Sequence, residues 1–446
     1  MVGNRGNFSK EGKDETQVDE TNQTDKFSIS LLIISRVFRS FAAGLVSIVF
    51  PYIILTDLHQ GSFTLGLIYT AATITTAVLG FVIGFATDTS PKVTFIVALA
   101  LLPASTMILS IFFSSLMAAF VAAIVGGYSQ TGSLAGGGVG GFIQPITSTI
   151  TANMTKRSDR TFYYGLLSFL GGLSLAGGAF AAGFPSIVDA LVIATIVSAL
   201  SVMPAVFVRI KKSRKSTKID KEFEFARKSS LRNSEEKKSS NQGRHLGLKS
   251  ASTIGKFSIT GMINGFANGL VIPFLIPFFI LSYGVPRSEM GEFTFISGLV
   301  GACAMLLGPR LERSLGFLKG VTATRGATIV LALAFPFVHL LPVSLAIYFI
   351  LPALRVVAFP LVQTAMTDMV AREELGRAFG INQGGRLAVT SAGIAFAGYE
   401  FDQSSYYIPF VGYAVVIAVN LVLYARFFSS YKDPVKLRSV GGHREE

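Results

Sequence analysis

Around Pro145 and again around Pro360 the chain carries the same pattern twice. The first copy holds Pro145, Thr149, Met154, Arg157, Gly165, Gly178, Gly183 and Phe184; the second holds Pro360, Thr364, Met369, Arg372, Gly380, Gly393, Gly398 and Tyr399. Each pair is separated by 215 residues. Upstream, Phe41, Ala42, Gly44, Leu45 and Val46 recur as Phe266, Ala267, Gly269, Leu270 and Val271 at a separation of 225. Self-similarity held over so long a period is the mark of a repeated architecture. Whatever this chain folds into must be built twice.

Both copies are apolar. Half of the residues are hydrophobic and only 15% are charged, where a soluble domain carries about 25% charged residues. A bilayer core of ~30 Å is crossed by about 20 mostly apolar residues, and twelve such stretches can be read here. They cover 29–55, 62–86, 93–114, 118–153, 161–184 and 187–208 in the first half, then 255–283, 291–309, 320–341, 344–369, 378–399 and 407–428 in the second. The fourth is too long for one straight helix. Its Gly-rich run from Gly132 to Gly141 is expected to break or bend it, and roughly matches the extra length that changes the repeat offset.

The charges orient these spans. With twelve spans, both termini and the central segment 209–254 share one face, and the 39 Lys and Arg residues fall almost wholly on that face or inside spans; only Arg287 lies in a loop on the other side. Basic residues are retained in the cytoplasm during insertion, so both termini are expected there. The domain plan is a polar, disordered N-terminal tail 1–26, a six-helix bundle 27–208, a basic linker 209–254, a second bundle 255–428 and a C-terminal tail 429–446. The linker is rich in Lys, Arg, Ser and Glu and cannot bury a core. It is a flexible tether or a patch for anionic lipid. Nucleic-acid binding needs a basic soluble module, which is absent from this reading. Cys303, the single cysteine, lies in an apolar span, where a packing role is expected.

Two polar motifs stand at the ends of the second and eighth spans. The first runs from Gly84 through Asp88 to Lys92, the second from Gly308 through Glu312, Arg313 and Gly316 to Lys319. A small residue allows close helix approach, and the acid four positions on can face the positive end of a neighbouring helix. This resembles the loop signature of the major facilitator superfamily, with Thr89 in place of the usual basic residue, Pro91 in place of glycine and Gly316 one position late. The resemblance extends over nearly the whole chain. It implies an all-α integral membrane protein: twelve transmembrane helices in two pseudo-symmetric six-helix bundles that rock around a central cavity. It further implies that Asp88 and Glu312 help close the cytoplasmic side. Gly165, Gly178 and Gly183, with Gly380, Gly393 and Gly398, resemble the small-residue pattern of helices five and eleven, where close helix packing is the expected role.

Charges inside the spans bear on the solute. Arg36 and Arg39 lie one turn apart in the first span; Arg355 is near the middle of the tenth, Arg386 in the eleventh on the same face as Gln383, and Arg325 near one end of the ninth. A mid-bilayer arginine costs at least ~2.5–3.5 kcal/mol and so faces a cavity or a partner. No acid falls in the middle of a span. Water, backbone carbonyls, Gln144, Gln363, Gln383 or a bound anion must serve these guanidiniums, while Arg36 and Arg325 are close enough to an interface to snorkel. Asn264 completes the set of polar cavity candidates.

Three function classes are open on these observations. The first is a secondary transporter at the plasma membrane moving a small organic solute, anionic if the arginines line the cavity, with coupling to an ion gradient as a further option. The second is a multidrug or amphiphile efflux permease, or a transport-inactive sensor, of the same fold. The third, a membrane enzyme, lacks support: the histidines (His59, His245, His339, His443) are scattered, and the Gly-rich run at 131–141 has no lysine to serve a nucleotide loop. No cofactor or metal is expected, and the chain is read as a monomer.

Overall fold

The structure is a computed structural model that describes residues 25–132, 137–155, 160–184, 186–208, 250–305, 307–370 and 374–429. All but the last two residues of the N-terminal tail, most of the basic linker and all but the first residue of the C-terminal tail lie outside the described residues.

The first half contains α1 (Lys26–Tyr52, continued by a π-helical turn Ile53–Asp57), α2 (Ser62–Thr89), α3 (Pro91–Ile111), α4 (Leu116–Gly126), β1 (Tyr128–Gly132), β2 (Gly137–Val139), α5 (Gln144–Met154), α6 (Arg160–Ala181), α7 (Ile187–Leu200) and α8 (Val202–Phe207). The second half contains α9 (Ala251–Val271), α10 (Leu275–Tyr283), α11 (Arg287–Met305), α12 (Gly308–Ala334), α13 (Leu341–Met369), α14 (Leu375–Asp402) and α15 (Tyr407–Phe428). Grouped by the turns that join them, these make twelve spans in two bundles.

Local chemistry sets several boundaries. The Asp25 carboxylate accepts from the Ser28 amide at 3.1 Å and caps α1. Pro91 opens α3, where a missing N–H costs nothing. Gly316, at φ 74°, interrupts α12, so the piece before it is separate from the span that follows. That span runs on to a 3-10 turn at Phe335–Phe337, short of the expected end at 341.

The fourth span is broken as its glycines suggested, but by a structure of a different kind. α4 ends on Gly127 in the left-handed region, φ 61°, and β1 and β2 then pair antiparallel before a 3-10 turn leads into α5. Pairing the strands satisfies backbone groups that no water could reach at this depth. Tyr128 anchors the hairpin, its ring edge-on to Phe50 at 5.1 Å and its hydroxyl 3.0 Å from Ser105 Oγ.

Packing repeats between the halves. α1 rests on α6 and α7 as α9 rests on α14 and α15; α3 meets α4 and α7 as α12 meets α13 and α15. The halves meet each other through α2 against α14 and α11 against α6. Among the described residues, nine spans are long and apolar enough to cross a membrane by length and composition. The remaining ones are the broken fourth span, α11 and α14. α14 carries Asn382, Gln383 and Arg386 near the centre of the molecule, which lowers its apolarity. Val78, Phe81, Val97, Ile111, Ile196, Val330, Val419 and Val422 are exposed on the rim, the face that lipid covers. Cys303 is exposed on α11, not packed in a core as its span suggested.

Candidate functional site

Two layers of glycine build the site's walls. Within each bundle, Gly178 on α6 lies against the Phe41 carbonyl of α1, and Gly393 on α14 lies against the Phe266 carbonyl of α9. Between the bundles, a Cβ on Gly183 would come within 2.8 Å of Ser288, and one on Gly398 within 2.9 Å of Gly66. The second layer closes the end of the molecule opposite the termini. Tyr52 Oη donates to the Val285 carbonyl at 2.6 Å, the Asp402 carboxylate accepts from the Phe63 amide at 3.3 Å, and Thr70 Oγ1 donates to the Ser391 carbonyl at 3.2 Å. Phe180 and Phe295 add a ring contact at 5.5 Å.

Toward the other end the repeat places two more glycines on the same faces. Gly165 and Gly380 each precede Gly183 and Gly398 by 18 residues, which is five helical turns and returns to the same face about 27 Å away. Among the described residues a Cβ on either would meet nothing within 4 Å, so these two glycines do not make the helix contact expected of them. Among those residues the face of α14 that packs on α2 at one end has no close neighbour at Gly380, and the face of α6 that packs on α11 has none at Gly165.

The arginines take four different positions. Arg39 Nη2 donates to the Val139 carbonyl at 3.0 Å and to the Gly140 carbonyl, so it ties α1 to the broken fourth span. Arg36 Nη1 reaches Gln144 Oε1 at 3.4 Å, and its buried Nε has no partner. Arg386 leans on Gln383 Oε1, from Nη2 at 2.9 Å and from Nε at 3.3 Å, with Gln383 exposed at the open side. Arg355, on α13, is close enough for its charge to act on Arg386 and on the Tyr413 ring of α15. The structure thus brings Arg36 to Gln144 and Arg386 to Gln383. Gln363 is half-buried on α13 and Asn264 half-buried on α9.

Arg325 does not snorkel. It is buried, donates from Nη1 to Asn420 Oδ1, and stacks its guanidinium 4.4 Å from the Tyr424 ring centre. Asn420 Nδ2 in turn donates to the Thr260 carbonyl at 2.7 Å, so the network joins α12, α15 and α9. Sequence reasoning missed Asn420; the signal was a lone amide inside the apolar span Tyr407–Phe428. In the loop motifs, Gly84 and Asp88 fall in the last turns of α2, Lys92 is exposed at the start of α3, and Gly308, Glu312 and Arg313 precede the Gly316 break. The side chains of Asp88, Glu312 and Arg313 lie outside the described ones.

Among the described residues no group of His, Cys, Asp and Glu could hold a metal ion. Close glycine contacts join the bundles at one end of the molecule, and guanidinium and amide groups stand on α1, α9, α13 and α14.

Comparison with known proteins agrees with this architecture. The sequence profile described as Major Facilitator Superfamily matches residues 32–357 and 257–445. No curated protein matches the sequence. Among solved structures, the D-xylose-proton symporter is similar at a TM-score of 0.66 with 12% identity, over 92% of this chain and 99% of that one. The nucleoside transporter NupG gives 0.62 at 14% identity, over 91% and 100%. The human organic anion transporter MFSD10 (TETRAN) gives 0.61 at 13% identity, over 90% and 100%.

Proposed function

The chain belongs to the major facilitator superfamily, and on that premise we propose that it moves a small anionic solute across the plasma membrane by alternating access. The family makes it a multi-pass membrane transporter and not an enzyme. The solute's charge, the membrane and the orientation are the proposal. One observation carries it: among the described residues the Arg386 side chain donates to a neutral glutamine, close enough to Arg355 for the two charges to act on each other, and we place both at a cleft between the bundles. A guanidinium cannot shed its proton at such a site, so the cleft keeps a positive potential that concentrates anions.

The basic residues on the terminal face support a cytoplasmic location for both termini. With that orientation the cleft is open inward. Asp88 and Glu312, in the loop motifs at that face, then act as latches when the bundles swing and the cleft opens outward. An ion gradient supplies the energy, and one chain forms the complete pathway.

The test is flux into proteoliposomes. Arg355→Gln and Arg386→Gln are expected to slow uptake of an organic anion while the protein still folds. Undiminished transport of a cationic dye by the Arg39→Gln, Arg355→Gln and Arg386→Gln variants would overturn the anionic reading in favour of a drug or amphiphile exporter.

A further inference from the structure

The repeat register assigns each residue a counterpart in the other half, and the contacts obey it. Gly44 lies against the Leu175 carbonyl, and its counterpart Gly269 lies against the Thr390 carbonyl. These pairs keep the offset of 225 on α1 and α9 and of 215 on α6 and α14. Gly66 against Ile394 and Gly291 against Ala179 repeat the same relation at the contacts between the halves.

In this register the counterpart of Arg36 is Gly261, and the counterpart of Gly171 is Arg386. Gly171 is the residue against which Arg36 packs: a Cβ there would lie 2.8 Å from Arg36 Nε. In the other half the room is made on α9, where a Cβ on Gly265 would lie 2.9 Å from Arg386 Cγ. Each half thus places one guanidinium between the first and fifth helices of its bundle. It comes from the first helix in one half and from the fifth in the other. What the two halves share is the position of the charge, not the helix that carries it.

Arg36 and Arg386 have no carboxylate partner among the described residues; each leans on a glutamine, and Arg36 Nε is buried and unpaired. An enclosed charge of this kind calls for a counter-charge. Arg36 lies in one half of the molecule and Arg386 in the other. We propose that the solute carries two anionic groups, carboxylate or phosphate, with Arg36 holding one and Arg386 the other. The inference rests on the anionic reading of the cleft and narrows it to a class of solute.

The test uses the purified full-length protein and a graded series of dicarboxylates from malonate to azelate, each against the monocarboxylate of equal length. Thermal stabilisation is the readout. At least one dicarboxylate is expected to stabilise the protein well beyond its matched monocarboxylate. Arg36→Gln and Arg386→Gln are each expected to weaken that dicarboxylate about tenfold or more, as loss of a charged hydrogen-bond partner does. The double variant Arg36→Gly with Gly171→Arg moves the guanidinium to the helix that carries it in the other half, and binding should return. If that variant does not fold, Arg386→Gly with Gly261→Arg makes the mirror exchange. If no dicarboxylate outperforms its matched monocarboxylate, the two-group inference is wrong. Stabilisation by monocarboxylates to the same extent, still lost with Arg386→Gln, leaves the anionic reading standing. Stabilisation by cations alone removes both.

Discussion

Gly66 of α2 and Gly398 of α14 touch backbone to backbone across the two bundles, so closely that a methyl group on Gly398 would come within 2.9 Å of the Gly66 Cα. Gly183 meets Ser288 at the equivalent place. These contacts close one end of the cleft, and a side chain there is a wedge.

Gly398→Val, in a Cys303→Ala background, is expected to spread that end. Overpacking of this kind costs typically 1–3 kcal/mol. Because the contact lies between bundles, the cost falls on the closed arrangement. Labelling of a cysteine placed at Phe63, which is now exposed only at the rim of the contact, should accelerate. Unchanged labelling with unchanged stability would show that the contact does not close the cleft.

Gly178→Leu and Gly393→Leu test the other glycine layer. Both glycines lie against main-chain carbonyls inside a bundle, Phe41 and Phe266 respectively, so neither neighbour can rotate away. Each variant should lower the melting temperature by an amount equivalent to about 1–3 kcal/mol. Labelling at Phe63 should stay as it is. The two effects should be similar in size, since the two contacts are equivalent in the repeat.

Arg325→Leu removes the donor to Asn420 and the stack on Tyr424. Leaving Asn420 with an unmet acceptor in a buried place costs roughly 1–3 kcal/mol. Arg325→Lys should recover little, because an ammonium lacks the flat fork that both contacts use. Thermal unfolding of the two variants checks this; full recovery by lysine would mean that charge alone matters there.

Arg39→Ala should loosen the hairpin of β1 and β2. Its guanidinium is a donor to the Val139 and Gly140 carbonyls, and without it the Val139 carbonyl loses that donor while Gly140 keeps only the Ile143 amide. Hydrogen exchange over residues 128–132 and 137–140 should speed up by about tenfold or more, on the basis of ~1–3 kcal/mol lost from the buried pairings. Exchange confined to its original rate would assign the hairpin's stability to the Tyr128 contacts instead.

Asp88→Asn probes the latch. If the latch holds as proposed, removing this charge weakens an interaction with a neighbouring helix N-terminus by about 0.3–1 kcal/mol, or more at a partly buried site. The outward-facing arrangement is the one expected to lose it, so the population shifts toward the conformation seen here. Cysteine accessibility measured from both sides reads the shift, and identical accessibility in the two proteins would end the latch role.

Much of the fold was legible from residues alone. The constant separations of Pro145 from Pro360 and of Gly178 from Gly393 mark the duplication, because a packing contact made by a glycine admits no substitute and so persists in both copies. The twelve spans follow from length and apolarity, since a helix in lipid must satisfy its own backbone. The site was legible only as a roll of charged and amide residues. Arg36, Arg39, Arg325 and Arg386 look alike in sequence, yet one reaches a glutamine across the bundle, one binds carbonyls, one stacks on a tyrosine and one leans on its own helix.

The sequence by itself determined the duplicated architecture, the number of crossings and the face that carries the positive charge, all of which depend on local composition and spacing. Only the tertiary structure decided which partner each arginine finds, that the glycines of the fourth span frame a hairpin, and at which end the bundles touch through glycine. Those outcomes depend on partners far away in the chain. Arg36 meets Gln144, Gly66 meets Gly398 and Arg325 meets Asn420, and the energy of a buried polar group is set by what stands opposite it rather than by its neighbours in sequence.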